Sequence, residues 1–170
     1  MAHPDDEVLG CGASIYKWTK NGDVVDVCIM CTEAKARAFR PEDKELDDDL
    51  NLSSDFLGIS QKFEGTFPNI EMNTVPHLQL VQHIEKAILD SQPDIVITHH
   101  PADTNNDHLQ TSMACWQIFC HQHLALRCPR TCLSAYCGNG VGGKRMSGNT
   151  NSATRKVCGV LFGVECGGIC

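Results

Sequence analysis

Two rhythms of apolar residues run through the first two thirds of the chain. Between residues 7 and 21, Val8, Leu9, Cys11, Ile15 and Trp18 recur at helical spacing, and Gly22 stands where a left-handed cap would end the helix. The next run, DVVDVCIMC over residues 23–31, is short and rich in Val, Ile and Cys, which predicts a buried strand. A polar loop through Pro41 leads to a second predicted helix over residues 42–57. It opens on acids that suit a helix N-terminus and stops at Gly58, before a short strand near residues 59–63. Thr74 reads as the N-cap of a third helix through residue 89, with Pro76 in its first turn. A strand over residues 93–98 follows, ended by His99-His100-Pro101 and a polar loop, and a fourth helix starts near His108.

Strands alternating with helices at this spacing imply βαβ units with right-handed crossovers, hence an α/β fold with a mostly parallel sheet covered on both faces. In such folds chemistry gathers outside the carboxyl ends of the strands. The two polar clusters, HPDDE at residues 3–7 and HPADTNNDH at residues 100–108, both occupy loops of that kind and can meet in space.

Composition divides the chain in two. With 170 residues, 42% hydrophobic and 21% charged, it has the length of one domain with one core. Residues 1–120 carry a net charge of -12 and residues 121–170 carry +5, and eight of the 11 cysteines lie from Cys115 onward. Patterning delineates no elements beyond about Phe119, where a Gly, Ser and Asn-rich stretch precedes the apolar run VCGVLFGVECGGIC. The expectation is therefore a domain over residues 1–120 and an atypical, poorly ordered Cys/Gly-rich tail over residues 121–170, foreign to the fold, as a shifted reading frame would make it. The overall charge of -7 argues against nucleic acid or an anionic membrane as partner and favours a small neutral substrate. The chain opens on charged residues with no apolar leader and has no run of membrane-spanning length, which predicts a soluble, cytoplasmic protein.

The chemistry rests on the two polar clusters. In AHPDDE an imidazole and two adjacent carboxylates sit within four residues of a helix start. Adjacent Asp side chains point differently, so one can bind a metal while the other faces the water on it, and His108 supplies a ligand from the second loop. Two nitrogens, one oxygen and an open position make a hydrolytic zinc site. Either cluster alone is equally well read as ordinary structure, since acids before a helix favour its N-terminus.

The segments AHPDDEVLGCG, the strand ending in Cys-Thr-Glu, and HHPADTNNDH together resemble the LmbE/PIG-L family of zinc-dependent N-deacetylases, from Met1 to about Cys120. The resemblance implies a Rossmann-like three-layer αβα fold and removal of acetyl groups from N-acetylglucosamine-type sugars or conjugates. It implies that His3, Asp6 and His108 hold Zn2+, or another divalent metal such as Fe2+, and that Asp5 is the general base. Asp107 would orient an imidazole or a donor near the oxyanion, and Asp103, Glu33 and Arg40 are candidates for sugar hydroxyls. Asn105 stands where many members carry a His, and an amide can donate a hydrogen bond but cannot act as an acid.

The family also begins with a buried central strand, of which only Met1 and Ala2 remain here. Losing about five apolar side chains at roughly 1.5–3 kcal/mol each would remove on the order of 10 kcal/mol. A truncated, catalytically inactive member that binds only metal or a partner is the alternative. Homo-oligomerisation is expected if the apolar Trp116 and Phe119 of the fourth helix, assigned to the core, lose their cover. Cys28 and Cys31 match CxxC, but on a strand positions three apart face opposite sides, so no redox pair is expected. Cys128, Cys132 and Cys137, with His121 and His123 nearby, follow no zinc spacing.

Overall fold

The computed structural model describes residues 1–33, 36, 42–121, 131–134 and 156–159. Helix α1 (Asp6–Lys20) leads to β1 (Val24–Ile29), α2 (Asp43–Leu57) and β2 (Gln61–Glu64), and a 3-10 turn (Met72–Thr74) precedes α3 (His77–Ser91). Then come β3 (Ile95–Thr98), α4 (Asn106–His121), β4 (Thr131–Ser134) and β5 (Lys156–Gly159). The five strands form one sheet in the order β2-β1-β5-β3-β4, and every pair in it is parallel.

Side-chain alternation on β1 builds the layers. Val25, Val27 and Ile29 face one way and pack with Cys11 and Ile15 of α1 and Leu50 and Leu57 of α2. Cys28, with Met30 and Cys31 beyond the strand end, faces the other way onto Leu80, Ile84 and Ile88 of α3 and Ala114, Cys115 and Ile118 of α4. β3 repeats the division, with Ile97 in the first cluster and Val96 in the second. Burial on both faces is what a parallel sheet between two helical layers requires, and the carboxylate of β1, Asp26, accepts Ser91 Oγ of α3. The fold is therefore the α/β, three-layer αβα arrangement expected.

Local chemistry sets most boundaries. α2 ends on Gly58, whose φ of 74 suits glycine, and Gly58 N–H closes the turn onto Asp55 O. α3 starts later than residue 74, because Pro76 holds Val75 extended (φ -85, ψ 136) and the residue before a proline is driven out of the helical region. Thr74 instead ends the 3-10 turn, its Oγ1 donating to Glu71 O. α1 carries a kink at Cys11 (φ -150, ψ 20), between Gly10 and Gly12, where two glycines weaken the helix.

Four observations depart from the patterning. β4 and β5 come from residues 121–170, where patterning delineates nothing, and β5 lies at the sheet centre between β1 and β3. Met1 and Ala2 continue alongside β1, their carbonyls accepting from Met30 N and Cys31 N at 2.9 Å. Cys28 and Cys31 fall in the same core cluster because strand alternation stops at Ile29; both are buried free thiols. Trp116 is 36% exposed rather than core, and the side chain of Phe119 lies outside the described residues.

Candidate metal centre

The site lies beyond the carboxyl ends of the strands, where the Ala2–His3 turn, the end of β3 and the start of α4 converge. Its scaffold is His99, the residue directly after β3, which is fully buried. His99 Nε2 accepts Ala2 N–H at 2.9 Å, and its carbonyl accepts Ser112 Oγ of α4 at 2.7 Å. This one residue thereby joins three segments of the site. Burial holds its imidazole pKa well below the ordinary value, and the neighbouring N-terminal ammonium and His108 act in the same direction. The ring is neutral, with the Nε2 lone pair toward Ala2 and the proton on Nδ1.

His3 follows Ala2, with its N–H donating to Asp6 Oδ2 at 2.8 Å. Its Nε2 lies 2.9 Å from Asp107 Oδ2 and its Nδ1 3.6 Å from Asp6 Oδ2. Asp107 is wholly buried and also accepts Ile70 N–H at 2.6 Å and Met72 N–H at 3.0 Å. A carboxylate accepting two backbone donors is ionised and takes a third from the imidazole, so His3 Nε2 donates and Nδ1 faces Asp6. His108 Nε2 lies 3.4 Å from Asp6 Oδ1. Asp6 thus has His3 and His108 nitrogens on opposite carboxylate oxygens, with His99 Nε2 also 3.7 Å from Oδ2.

The donor set suits a divalent cation. One ligand atom from each of His3, Asp6 and His108 lies within 4.8 Å of the other two. His3 Nδ1 lies 3.6 Å from Asp6 Oδ2 and His108 Nε2 3.4 Å from Asp6 Oδ1, so each imidazole faces its own oxygen of the shared carboxylate. His99, Asp103 and His108 form a second group of the same compass. In that group the rings of His99 and His108 are stacked, with centroids 4.0 Å apart and planes 16° apart. Imidazole lone pairs lie in the ring plane, so two stacked rings cannot aim them at one ion. The His3 and His108 rings are 5.4 Å apart and tilted by 46°, which leaves their in-plane lone pairs free to converge.

The charges are coupled. Burial raises the pKa of Asp6, but hydrogen bonds from His108 and His3 and the charge of His108 outweigh it and hold the carboxyl far below its usual range. Burial lowers His3, and the hydrogen bonds and charges of Asp107 and Asp6 reverse this and lift it to about 9. His108 is raised for the same reason, burial being overcome by Asp6 and Asp103. Without a cation, a proton on the His3 imidazole carries balancing positive charge.

Asp5 is exposed, and its backbone sits at φ 94, ψ -27, a left-handed conformation that a non-glycine residue adopts only under strain. Its N–H donates to Glu7 Oε2 at 3.2 Å, and its carbonyl accepts the first helical hydrogen bonds of α1. Glu7 is buried, which raises its pKa. Asn105 caps α4, its Oδ1 accepting Asp107 N–H at 2.9 Å and His108 N–H at 3.4 Å. Asp103 reaches His108 Nδ1 at 3.2 Å. Glu33 lies in the loop after β1, its carbonyl accepting the Cys31 thiol at 3.2 Å. Arg40 lies outside the described residues. Sequence reasoning passed over His99, although a His closing a β strand at its carboxyl end was the available signal.

No helix among the described residues is long and apolar enough to cross a membrane. The family model described as PIG-L, GlcNAc-PI de-N-acetylase, matches residues 1–119. The chain is 31% identical over 140 residues to the uncharacterized deacetylase YaiS of Escherichia coli (strain K12), a span of 78% of this chain and 74% of that protein. Among solved structures it is similar to the conserved protein TT1542 from Thermus thermophilus, with TM-score 0.60, 22% identity, and coverage of 68% of this chain and 51% of that one. It is also similar to the N,N'-diacetylchitobiose deacetylase from Pyrococcus horikoshii, with TM-score 0.59, 22% identity, and coverage of 69% and 46%. The chain spans about half the length of these solved structures. Both polar loops of the site fall within the matched segment, and the chain belongs to the PIG-L family of de-N-acetylases.

Proposed function

We propose that this protein is a zinc-dependent deacetylase that hydrolyses the N-acetyl group of an N-acetylglucosamine-type sugar or conjugate, releasing acetate and the free amine. The observation that carries the reading is the pair of separations about Asp6, 3.4 Å to His108 Nε2 and 3.6 Å to His3 Nδ1, with the exposed carboxylate of Asp5 next in sequence. A cation held by His3, Asp6 and His108, Zn2+ with Fe2+ as the alternative, would polarise the amide carbonyl and acidify the attacking water.

The protein's own groups do the rest. Asp5 takes a proton from the attacking water as its oxygen joins the carbonyl carbon, and returns it to the nitrogen as the C–N bond breaks. Amine and acetate leave, and Asp5 is regenerated. Asp107 holds His3 in the orientation that presents Nδ1. Asn105, whose oxygen caps α4, has its amide N–H2 for a substrate oxygen, and Glu33 and Arg40 are assigned to sugar hydroxyls. The acidic surface of the domain suits a neutral sugar, and we assign the protein to the cytoplasm.

The test is metal content and amine release from N-acetylglucosamine derivatives for the full chain beside an Asp6→Ala, His108→Ala double variant. Near one zinc per chain with activity, both lost in the variant, supports the deacetylase. Metal binding without amine release supports the second reading, an inactive family member that at most binds metal or a partner.

A further inference from the structure

We propose that Asp103 is a positioning residue that fixes the tautomer and ring orientation of His108, rather than a contact to substrate. The inference rests on the metal-site reading above and adds a residue to it.

His108 leaves α4 at its first turn and has to present Nε2, the nitrogen facing Asp6, as a lone pair. An imidazole with no partner on the other nitrogen exchanges tautomers and spins about its bond to the chain. Three contacts remove that freedom. The stack on His99, 4.0 Å between centroids, fixes the ring plane. Asn105 Oδ1, accepting the N–H groups of Asp107 and His108, fixes the backbone from which the ring grows. Asp103 Oδ2, 3.2 Å from Nδ1, accepts the Nδ1 proton and so reserves the Nε2 lone pair for the cation side.

Asp103 is itself held for this task. Its Oδ1 accepts Asn105 N–H at 2.8 Å, and its own N–H donates to His100 O at 3.1 Å. Each carboxylate oxygen thus has a protein partner, and the side chain is only 31% exposed. A residue waiting for a sugar hydroxyl would keep an oxygen turned to solvent. The arrangement parallels the hydrogen bond that Asp107 makes to His3, so each imidazole has its own carboxylate behind it.

The experiment compares zinc affinity, by chelator competition, of the full chain and of Asp103→Ala and Asp103→Asn. It also records long-range 1H–15N spectra of the zinc-loaded proteins labelled at histidine. We expect zinc binding weakened by about 10- to 100-fold in Asp103→Ala. Asp103→Asn, whose amide oxygen still accepts from Nδ1, should keep most of the affinity. In wild type and Asp103→Asn, His108 should show a protonated Nδ1 and a ligated Nε2; in Asp103→Ala the Nδ1–H signal should be lost to solvent exchange. Unchanged zinc affinity in Asp103→Ala with a raised KM would overturn the proposal in favour of a sugar contact. Ligation through His108 Nδ1 in the wild-type spectrum, which needs no variant, would also overturn it. Zinc binding that survives His108→Ala would instead remove the metal-site reading, and the role of Asp103 with it.

Discussion

Asp5 joins a strained backbone to the residue assigned as base, and the two properties can be separated by replacing it with glycine and with alanine. At φ 94 an L residue is disfavoured by about 1–2 kcal/mol, a cost that glycine escapes. Against this, glycine has a more flexible unfolded chain, worth about 0.5–1 kcal/mol relative to alanine. Neither variant keeps the carboxylate, so the comparison between them isolates the backbone at this position. Asp5→Gly should therefore be more stable than Asp5→Ala by about 1 kcal/mol, or about 2–4 °C in Tm for a chain of this size. Both should lose amine release by about 10²- to 10⁴-fold. Paired urea and thermal melts with a chelator present, so that bound metal does not mask the difference, give the comparison. Equal stabilities would refute the claim that the turn stores strain. A glycine variant retaining full activity would refute the role of the carboxylate.

Other outcomes follow from the buried charges and the sheet order. His3 has a pKa raised to about 9 in the metal-free protein, from an ordinary value of about 6.5. The stability it contributes is complete below about pH 6.5 and disappears as pH rises through 9. The urea midpoint of the metal-free chain should decline across that window, and the decline should shrink in His3→Gln. Zinc affinity should rise over the same interval because the metal must displace the protons, which calorimetry in buffers of different ionisation enthalpy would register as proton release. Asp107→Ala leaves the N–H groups of Ile70 and Met72 and the His3 ring without their acceptor, and should cost about 3–5 kcal/mol in urea denaturation; a loss under about 1 kcal/mol would mean that water takes its place. A chain ended at His121 lacks the strand between β1 and β3 and should lose its cooperative melt; a truncated protein that melts like the full chain would show that residues 122–170 are dispensable to the fold.

Much of this fold is legible where local and tertiary preferences agree. Val25, Val27 and Ile29 alternate with Cys28 on a strand buried from both sides, so hydropathy alone marks β1. Gly58 and Pro76 set helix ends through backbone geometry that any reader of the sequence can apply, although Pro76 delayed α3 where a first-turn proline was expected. β4 and β5 are different. Each has four residues in a Cys- and Gly-rich context, and such strands exist through their neighbours in the sheet rather than through their own propensity. At the site, the meeting of HPDDE with the loop before α4 follows from parallel topology. The partition of roles among four Asp residues does not, because only distances separate Asp107 behind His3 from Asp103 behind His108. The stack of His99 on His108 is likewise a product of packing, invisible in the spelling HHP.

The position of β5 has a consequence for the order of assembly. Val24 pairs with Lys156, so the middle of the sheet closes only after the residues through β5 have left the ribosome. Until then β1 and β3 each present an open edge, and pairing across so long a loop is slow. A nascent chain in that condition is prone to edge-to-edge association. The yield of native protein should accordingly depend on chaperone supply and expression temperature more steeply than its final stability would indicate.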